Sequence, residues 1–174
     1  MKTMLLAIGN AGSNIVETIR KESENAALKK TRNVFADCDE NDLKKHKAED
    51  CQLIHLNKDK DEFPNEIFDG IEKLVIVTGL GGKTGTKYAE LAAKSAVDAG
   101  VTSVNVIATL PFFFEGNNRI NLATSAARKL TDINGMNVTI VNNEEILEKY
   151  PDLDFFNAFD ATDKKIMQIV EDIL

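Results

Sequence analysis

The chain has 174 residues, of which 43% are hydrophobic, and this predicts one folded domain with a continuous core. Its net charge of -7 argues against nucleic acid and anionic membranes as partners, because both need basic patches. The opening apolar run, Met4 to Ile8, is too short for a secretory signal, and no segment approaches a membrane span. A cytoplasmic protein is therefore expected, with Cys38 and Cys51 reduced and no cysteine or histidine at metal-ligand spacing.

Short apolar runs alternate with longer periodic stretches along the chain. Six runs are predicted to be strands: Met4–Ile8, Asn33–Asp37, Cys51–Leu56, Leu74–Thr78, Ser103–Ala108 and Asn137–Val141. Most lack polar alternation, which is typical of parallel strands that are covered on both faces. The alternation predicts a doubly wound, mainly parallel six-stranded α/β sheet with helices on both faces.

The predicted helices are marked by apolar stripes. The first three stripes are Ile15, Val16 and Ile19 after an N-cap region at Ser13, then Ala89, Ala92, Ala93 and Ala96 before a stop at Gly100, then Leu122, Ala126 and Leu130. A long final helix is predicted over Phe155–Leu174, with a stripe of Phe159, Ile166, Ile169, Val170 and Ile173. The polar region Asn57–Gly70 is predicted to be a loop with a short helix.

The first strand ends in the segment Gly9-Asn10-Ala11-Gly12-Ser13-Asn14, which opens a helix. Glycines at such a junction let backbone amides approach a phosphate, and the helix N-terminus favours its negative charge. With Ala7, the segment is a G-x-G-x-x-G motif that lacks its first glycine. The alternative is a tight strand–helix turn without a ligand.

The second strand ends in Asp37-Cys38-Asp39. An acidic residue at this place commonly accepts hydrogen bonds from a ribose. Asp37 or Asp39 is equally suited to capping the next helix, and both interpretations stay open.

The fourth strand ends in a second glycine-rich segment, Gly79-Leu80-Gly81-Gly82-Lys83-Thr84-Gly85-Thr86-Lys87. Glycines free the backbone amides, threonine hydroxyls add donors and lysines add positive charge, so this is the strongest phosphate-binding signal in the chain. It is not a P-loop, because the required earlier glycine falls at Val77.

Five motifs in order resemble the GTP-binding half of FtsZ, the bacterial relative of tubulin. They are Gly9 to Asn14, Gly81 to Lys87 in place of GGGTGTG, Thr109 to Arg119 in place of T-x-P-F-x-F-E-G-x-x-R, Val141 to Leu147 in place of I-P-N-D-R-L-L, and Ala158 to Asp163 at the start of a long central helix. The resemblance covers the whole chain and identifies it as a divergent member of the tubulin/FtsZ superfamily.

The resemblance implies a role for each matching residue. Phosphate contacts are implied for Gly9, Asn10, Gly12, Asn14, Gly81, Gly82, Lys83, Thr84, Gly85 and Thr86. Glu115 and Arg119 would contact the ribose or the base edge, or else form a surface pair. Asn143 would contact the base, Phe159 would stack on it unless it packs in the core, and Asp163 would accept hydrogen bonds from guanine unless it is merely solvated.

Three departures from the family pattern qualify the expected function. A further alanine-, glycine- and asparagine-rich loop that faces the terminal phosphate has no counterpart in Asn57–Gly70, so a preference for GTP over GDP is not expected. Lys83 and Lys87 stand where the family has glycines. The second domain of the family, whose acidic loop completes the active site of a neighbouring subunit, is not matched.

The sequence therefore predicts a guanine-nucleotide-binding domain over residues 1–174, which binds GTP or GDP, with magnesium accompanying GTP. No catalytic residue is assigned, and hydrolysis is expected to need a partner. A homo-oligomer or a protein partner is expected at the final helix, where Ile169 to Leu174 are predicted to lack cover. The alternatives are an NAD-type oxidoreductase domain resting on Gly9, Gly12 and Asp37, and an interaction module that has lost the nucleotide.

Overall fold

The computed structural model describes residues 2–46 and 51–174. Its framework is a six-stranded sheet in which every pairing is parallel. The strands are β1 (Thr3–Ile8), β2 (Arg32–Asp37), β3 (Cys51–His55), β4 (Lys73–Gly79), β5 (Ser103–Leu110) and β6 (Asn137–Asn142). Each coincides with a predicted apolar run to within a few residues, so the predicted fold class is confirmed.

The strand order is β3-β2-β1-β4-β5-β6. The chain builds outward from β1 to one edge, returns to the centre at β4, and builds outward to the other edge. The order therefore reverses between β1 and β4, and the segments that follow these two strands diverge. In open parallel sheets, this reversal opens a crevice at the carboxyl ends of the strands, where ligands bind.

Alternate residues of each strand pack into separate apolar layers on the two faces of the sheet. On β1, Met4, Leu6 and Ile8 belong to one layer, whereas Leu5 and Ala7 belong to the other. All five are fully buried, which explains why the strand reads as a continuous apolar run.

The helices cover both faces of this sheet. They are α1 (Gly9–Glu22), α2 (Glu40–Lys44), α3 (Lys83–Asp98), α4 (Asn117–Thr131), α5 (Asn143–Lys149) and α6 (Phe155–Ile173). The buried residues of α3 and α4 belong to one layer, and those of α1, α2 and α6 belong to the other.

Two sequence predictions about these helices are wrong in detail. Helix α1 begins at Gly9, directly after β1, so Ser13 lies inside the helix and is not its N-cap. Leu122 is exposed, because α4 turns the neighbouring Ala123 toward the sheet. The small side chains of Ala123 and Ala126 let this helix lie close to the layer beneath it.

Helix α6 packs against its own domain more completely than predicted. Ile166 and Val170 are fully buried, and Ile169, Ile173 and Leu174 pack against the same layer. The expectation of a bare C-terminal end is therefore wrong. The apolar exposure on α6 lies at its N-terminal end instead, where Phe155 and Phe156 face solvent.

Polar contacts also fasten α6 to the domain. The Lys73 ammonium donates to the Ile173 carbonyl at 2.6 Å, and the Ser23 hydroxyl donates to the Glu171 carboxylate. Among the helices of the described residues, none is long and apolar enough to cross a membrane.

The region Asn57–Gly70 contains one short 3-10 turn, Asn65–Phe68, as predicted. Its first part is tied to α3. The Lys87 ammonium lies 2.8 Å from an Asp61 oxygen and donates to the Lys58 carbonyl at 3.0 Å. The buried Tyr88 hydroxyl donates to the Asn57 carbonyl at 2.7 Å. This loop is therefore held beside the second glycine-rich segment.

Candidate functional site

A cavity of about 1150 Å³ opens at the carboxyl ends of the strands, where the strand order reverses. Most of the predicted site residues line it. They are Gly9, Asn10, Asn14, Gly82, Lys83, Thr84, Gly85, Glu115, Arg119, Asn143, Phe159 and Asp163. Segments that are widely separated in the sequence thus form the walls of one cavity.

Glycines allow α1 and α3 to begin close to the end of β4. A Cβ atom at Gly12 would lie 2.4 Å from the Val77 carbonyl oxygen, and one at Gly85 would lie 2.3 Å from the Gly79 carbonyl oxygen. Neither position accepts a side chain without moving the backbone. A Cβ atom at Gly9 would lie 3.2 Å from the Gly85 nitrogen, so the two helix N-termini meet.

These two N-termini carry no cap from the protein itself. Neither α1 nor α3 has a side-chain cap or an acidic residue in its first turn. Asp39, Asn142 and Asp154 cap α2, α5 and α6 through side-chain oxygens, whereas α4 is uncapped like α1 and α3 but begins apart from their meeting point. The first amides of a helix need partners, and the helix dipole favours an anion there. The meeting point of α1 and α3 is therefore suited to phosphate.

The two lysines of the second glycine-rich segment have different surroundings. Lys83 is exposed, lines the cavity and forms no ion pair with any described residue. Lys87 is held by Asp61 and the Lys58 carbonyl. The Lys87–Asp61 pair raises the pKa of Lys87, chiefly through its hydrogen bond to the carboxylate. Of these two lysines, Lys83 is therefore the one left available to a ligand.

A second group of polar side chains lies where β6, α5 and α6 contribute to the cavity wall. Asn143 begins α5 and is only 5% exposed. Its Oδ1 atom is buried and has no hydrogen-bond partner among the described residues. A buried acceptor without a partner costs about 1–3 kcal/mol, so this oxygen is suited to an N–H donor of a ligand.

Asp163 of α6 contributes another acceptor to this wall. Its carboxylate accepts a hydrogen bond from the Thr18 hydroxyl at 3.2 Å. Burial raises the pKa of the Asp163 carboxyl to about 6, the bond from Thr18 opposes the rise, and the nearby charges of Asp160 and Glu22 add to it. An ionisable group perturbed in this way inside a cavity is typical of a functional site.

Phe159 lies one turn before Asp163 and is 43% exposed, so it is not a core residue. Its ring meets the Phe112 ring edge-on, with centroids 4.9 Å apart, and it also lines the cavity. The Glu115 carboxylate lies 3.6 Å from the Arg119 guanidinium and accepts a hydrogen bond from the Phe112 amide at 3.0 Å. The surface pair considered from the sequence is present, and both of its members also line the cavity.

The two acidic residues at the end of β2 make different contacts. Asp39 accepts a hydrogen bond from the Asn41 amide at 2.8 Å and caps α2. Asp37 is buried and accepts a hydrogen bond from the Thr84 hydroxyl at 3.0 Å. Asp37 therefore joins the end of β2 to the second glycine-rich segment.

Three predicted site residues do not line this cavity. Gly12 packs against β4, as described above. Gly81 has a φ of +98° and lies against the Arg119 backbone. Thr86 accepts a hydrogen bond from the Gly81 amide at 2.9 Å. These residues shape the glycine-rich segments, and their phosphate contacts stay a prediction.

The cavity also includes residues that sequence reasoning did not select. Thr109 lies near the end of β5 and Pro111 directly follows the strand, Thr162 precedes Asp163, and Lys58 comes from the loop that Lys87 holds. Thr109 and Pro111 belong to a motif that was recognised, so their place at the end of a strand was a usable signal. No signal in the sequence pointed to Lys58, because its position depends on contacts with α3.

Comparison with known proteins gives consistent matches in sequence and in fold, although no family model matches the chain. The cell division protein FtsZ of Mycoplasmopsis pulmonis is 27% identical over 98% of this chain and 47% of its own length. A structure titled as an empty FtsZ dimer from M. jannaschii has a TM-score of 0.78 and 23% identity, covering 98% of this chain and 53% of that one. GDP-form protofilaments of TubZ from Bacillus thuringiensis serovar israelensis give a TM-score of 0.73 with 13% identity, covering 100% of this chain and 54% of that one.

The sequence matches extend over nearly the whole chain, and the structural matches share its parallel sheet. The chain belongs to the tubulin/FtsZ superfamily. It spans about half the length of these relatives.

Proposed function

We propose that this domain binds a guanine nucleotide, GTP or GDP, in the cavity at the reversal of strand order. The observation that carries the proposal is the meeting of the uncapped N-termini of α1 and α3 at one cavity. The nucleotide phosphates would accept hydrogen bonds from the free amides of Gly9 to Ala11 and of Gly82 to Gly85. Lys83 would add a positive charge beside them.

The base would lie against α6 and the start of α5. The Watson–Crick edge of guanine offers N–H donors at neighbouring positions, and the oxygens of Asp163 and Asn143 are acceptors that need such donors. Adenine offers one exocyclic amine on that edge and an unprotonated ring nitrogen, which an ionised Asp163 would repel. Phe159 would stack on the base, a contact that contributes about 1–3 kcal/mol in comparable sites.

A redox dinucleotide is a weaker fit to this cavity. The strand order is also that of dinucleotide-binding folds, in which an acidic residue after β2 accepts hydrogen bonds from a ribose. Here Asp37 already accepts a hydrogen bond from Thr84. The relatives described above are named for FtsZ and TubZ, and neither name describes an oxidoreductase.

Calorimetric titration with GDP, GTP, ADP and NAD tests the proposed ligand. We expect GDP to bind and ADP to bind at least tenfold more weakly, because only guanine satisfies the acceptors. Asp163→Ala should weaken GDP binding by about 1.5–3 kcal/mol, the range for a hydrogen bond to a charged group.

The matched control is Asp160→Ala. It removes the same charge from the same helix, but Asp160 pairs with Lys164 at 2.7 Å and does not line the cavity. Equal affinities for GDP and ADP, or equal losses in the two variants, would contradict the assignment of the base.

We further propose that the protein acts in the cytoplasm as a cytoskeletal or cell-division component and assembles with copies of itself. The proposal follows the names of its relatives, among them a cell division protein, a dimer and protofilaments. Magnesium would accompany a bound triphosphate, held mainly by the phosphates and water. Hydrolysis of GTP would need acidic residues from a neighbouring molecule.

Light scattering with and without GTP tests the assembly, and phosphate release tests hydrolysis. Exposed aromatic rings before α4 and at the start of α6 offer the contact area: Phe113, Phe114, Phe155 and Phe156. Phe156→Ser should reduce assembly and leave GDP affinity unchanged, because Phe156 is 88% exposed and does not line the cavity. A protein that stays monomeric at high concentration with GTP would contradict this part of the proposal.

A further inference from the structure

The contact between Thr18 and Asp163 joins two helices that flank the proposed base-binding wall. On α1, Thr18 lies one turn after Asn14. On α6, Asp163 lies one turn after Phe159. Asn14, Phe159 and Asp163 line the cavity, whereas Thr18 is half-buried behind it. The Thr18 hydroxyl lies 3.2 Å from Oδ2 of Asp163 and 3.1 Å from the Asn14 carbonyl oxygen.

We propose that Thr18 is a positioning residue for Asp163. The Thr18 hydroxyl binds one carboxylate oxygen of Asp163, so that the other oxygen is presented to the N–H donors of guanine. The inference rests on the proposed function, because it assigns a helper to the residue that would discriminate the base. Thr18 itself would not touch the nucleotide.

The hydrogen-bond capacity of the hydroxyl supports this role. A threonine hydroxyl has one proton to donate and lone pairs with which to accept. When Asp163 is ionised, Thr18 donates to Oδ2. When Asp163 is protonated, the acid can donate to Thr18, whose own proton then turns to the Asn14 carbonyl. The carboxyl group is therefore held in either protonation state, which a valine at position 18 could not achieve.

The charges around Asp163 repel its carboxylate, so a hydrogen-bond donor is needed to fix its orientation. Glu22 follows Thr18 by one turn on α1, and Asp160 precedes Asp163 on α6, so both neighbouring charges are negative. In the described ranges, no lysine or arginine pairs with Asp163, and Thr18 is its only hydrogen-bond donor. Without this hydroxyl, repulsion would favour rotation of the carboxylate away from both acidic groups and out of line with the base.

Two substitutions at Thr18 and one control test the inference. Thr18→Val keeps the shape and removes the hydroxyl, whereas Thr18→Ser restores it. Thr124→Val is the matched control, because the Thr124 hydroxyl makes the same one-turn bond to the Ile120 carbonyl, at 2.8 Å, on a helix that does not touch Asp163. The measurements are GDP affinity by calorimetry and the carboxyl titration of Asp163 by carbon-detected NMR without nucleotide.

We expect Thr18→Val to weaken GDP binding about three- to tenfold, the effect of one lost hydrogen bond, and to move the titration of Asp163 to higher pH. Thr18→Ser should restore both quantities, and Thr124→Val should change neither. A loss shared equally by Thr18→Val and Thr18→Ser, or a normal GDP affinity in Thr18→Val, would overturn the positioning role. Wild-type protein that binds no GDP would instead overturn the proposed function, and the titration would still report whether Thr18 holds Asp163.

Discussion

The substitution Asp163→Asn should stabilise the ligand-free protein at neutral pH while it removes the discrimination of guanine. Asp163 is a partly buried carboxyl beside two acidic residues, and its single hydrogen bond from Thr18 does not compensate for the lost solvation. The charge is therefore unfavourable in the folded state. Asparagine is similar in shape, carries no charge and can still form a hydrogen bond with Thr18.

The structure sets both the sign and the size of this effect. The pKa of Asp163 rises from 3.8 to about 6 on folding, so the folded state holds the proton more tightly than the unfolded state. The stability that this proton contributes is complete below pH 3.8 and is lost as the pH rises through 6. A rise of about two pKa units corresponds to roughly 3 kcal/mol, and solvent screening at this half-buried site reduces the expected gain from Asp163→Asn to about 1–2 kcal/mol.

Urea denaturation of the wild type and the variant at pH 3.5 and pH 7.5 measures this free energy of unfolding. We expect similar stability at the lower pH and a more stable variant at the higher pH. Asp160→Asn removes a solvated charge that pairs with Lys164 and relieves only part of the repulsion on Asp163, so it should give a clearly smaller gain. A variant that is less stable than the wild type at pH 7.5, or a stability difference that is the same at both pH values, would refute the reasoning.

Three further predictions concern the phosphate end and the core. Gly12→Ala should destabilise the fold by about 3 kcal/mol in urea denaturation, because the new methyl group would lie 2.4 Å from a β4 carbonyl oxygen. Gly82→Ala should stay within about 0.5 kcal/mol of wild type, because the nearest atom to its methyl group would be 3.9 Å away. Equal losses in the two variants would contradict the packing argument. Lys83→Met should weaken GDP binding about three- to tenfold in calorimetry. Lys87→Met should change the GDP affinity less than twofold, because Lys87 already pairs with Asp61. The reverse order would show that Lys87 is the phosphate contact. Ile166→Ala should lower the free energy of unfolding by about 3 kcal/mol, because the side chain is fully buried between α1 and the sheet. A loss below about 1 kcal/mol would mean that α6 does not pack there.

Much of the fold could be predicted because its signals are local. The run Leu74–Val77 is apolar throughout because both faces of β4 are covered, and this is visible without knowing what covers them. The stop of α3 before Gly100 is also local, because that residue adopts a φ of +80°. Errors arose where a local rule had a competitor, as at Ser13, which resembles an N-cap although the helix had already begun at Gly9.

The exposed end of α6 could not be predicted from its stripe. Periodicity identified Ile166 and Val170 as one face, but it could not say how far the domain beneath them extends. That extent depends on how the other elements of this layer pack, and Ile169 and Ile173 lie against the layer they form. Phe156 stays exposed because nothing in the described domain reaches it.

The sequence alone predicted the parallel sheet, located the two glycine-rich segments and named candidate residues for nucleotide binding, because apolar runs and loop composition are features of short stretches of chain. Only the tertiary structure decided which charged and polar groups are already paired within the protein and which remain available to a ligand. Lys87 is taken by Asp61, Lys83 stays available, and Asp163 is held by Thr18, which lies 145 residues away in the chain. Such pairings depend on how each helix lies against the sheet, and this is a property of the packed core that no local pattern records.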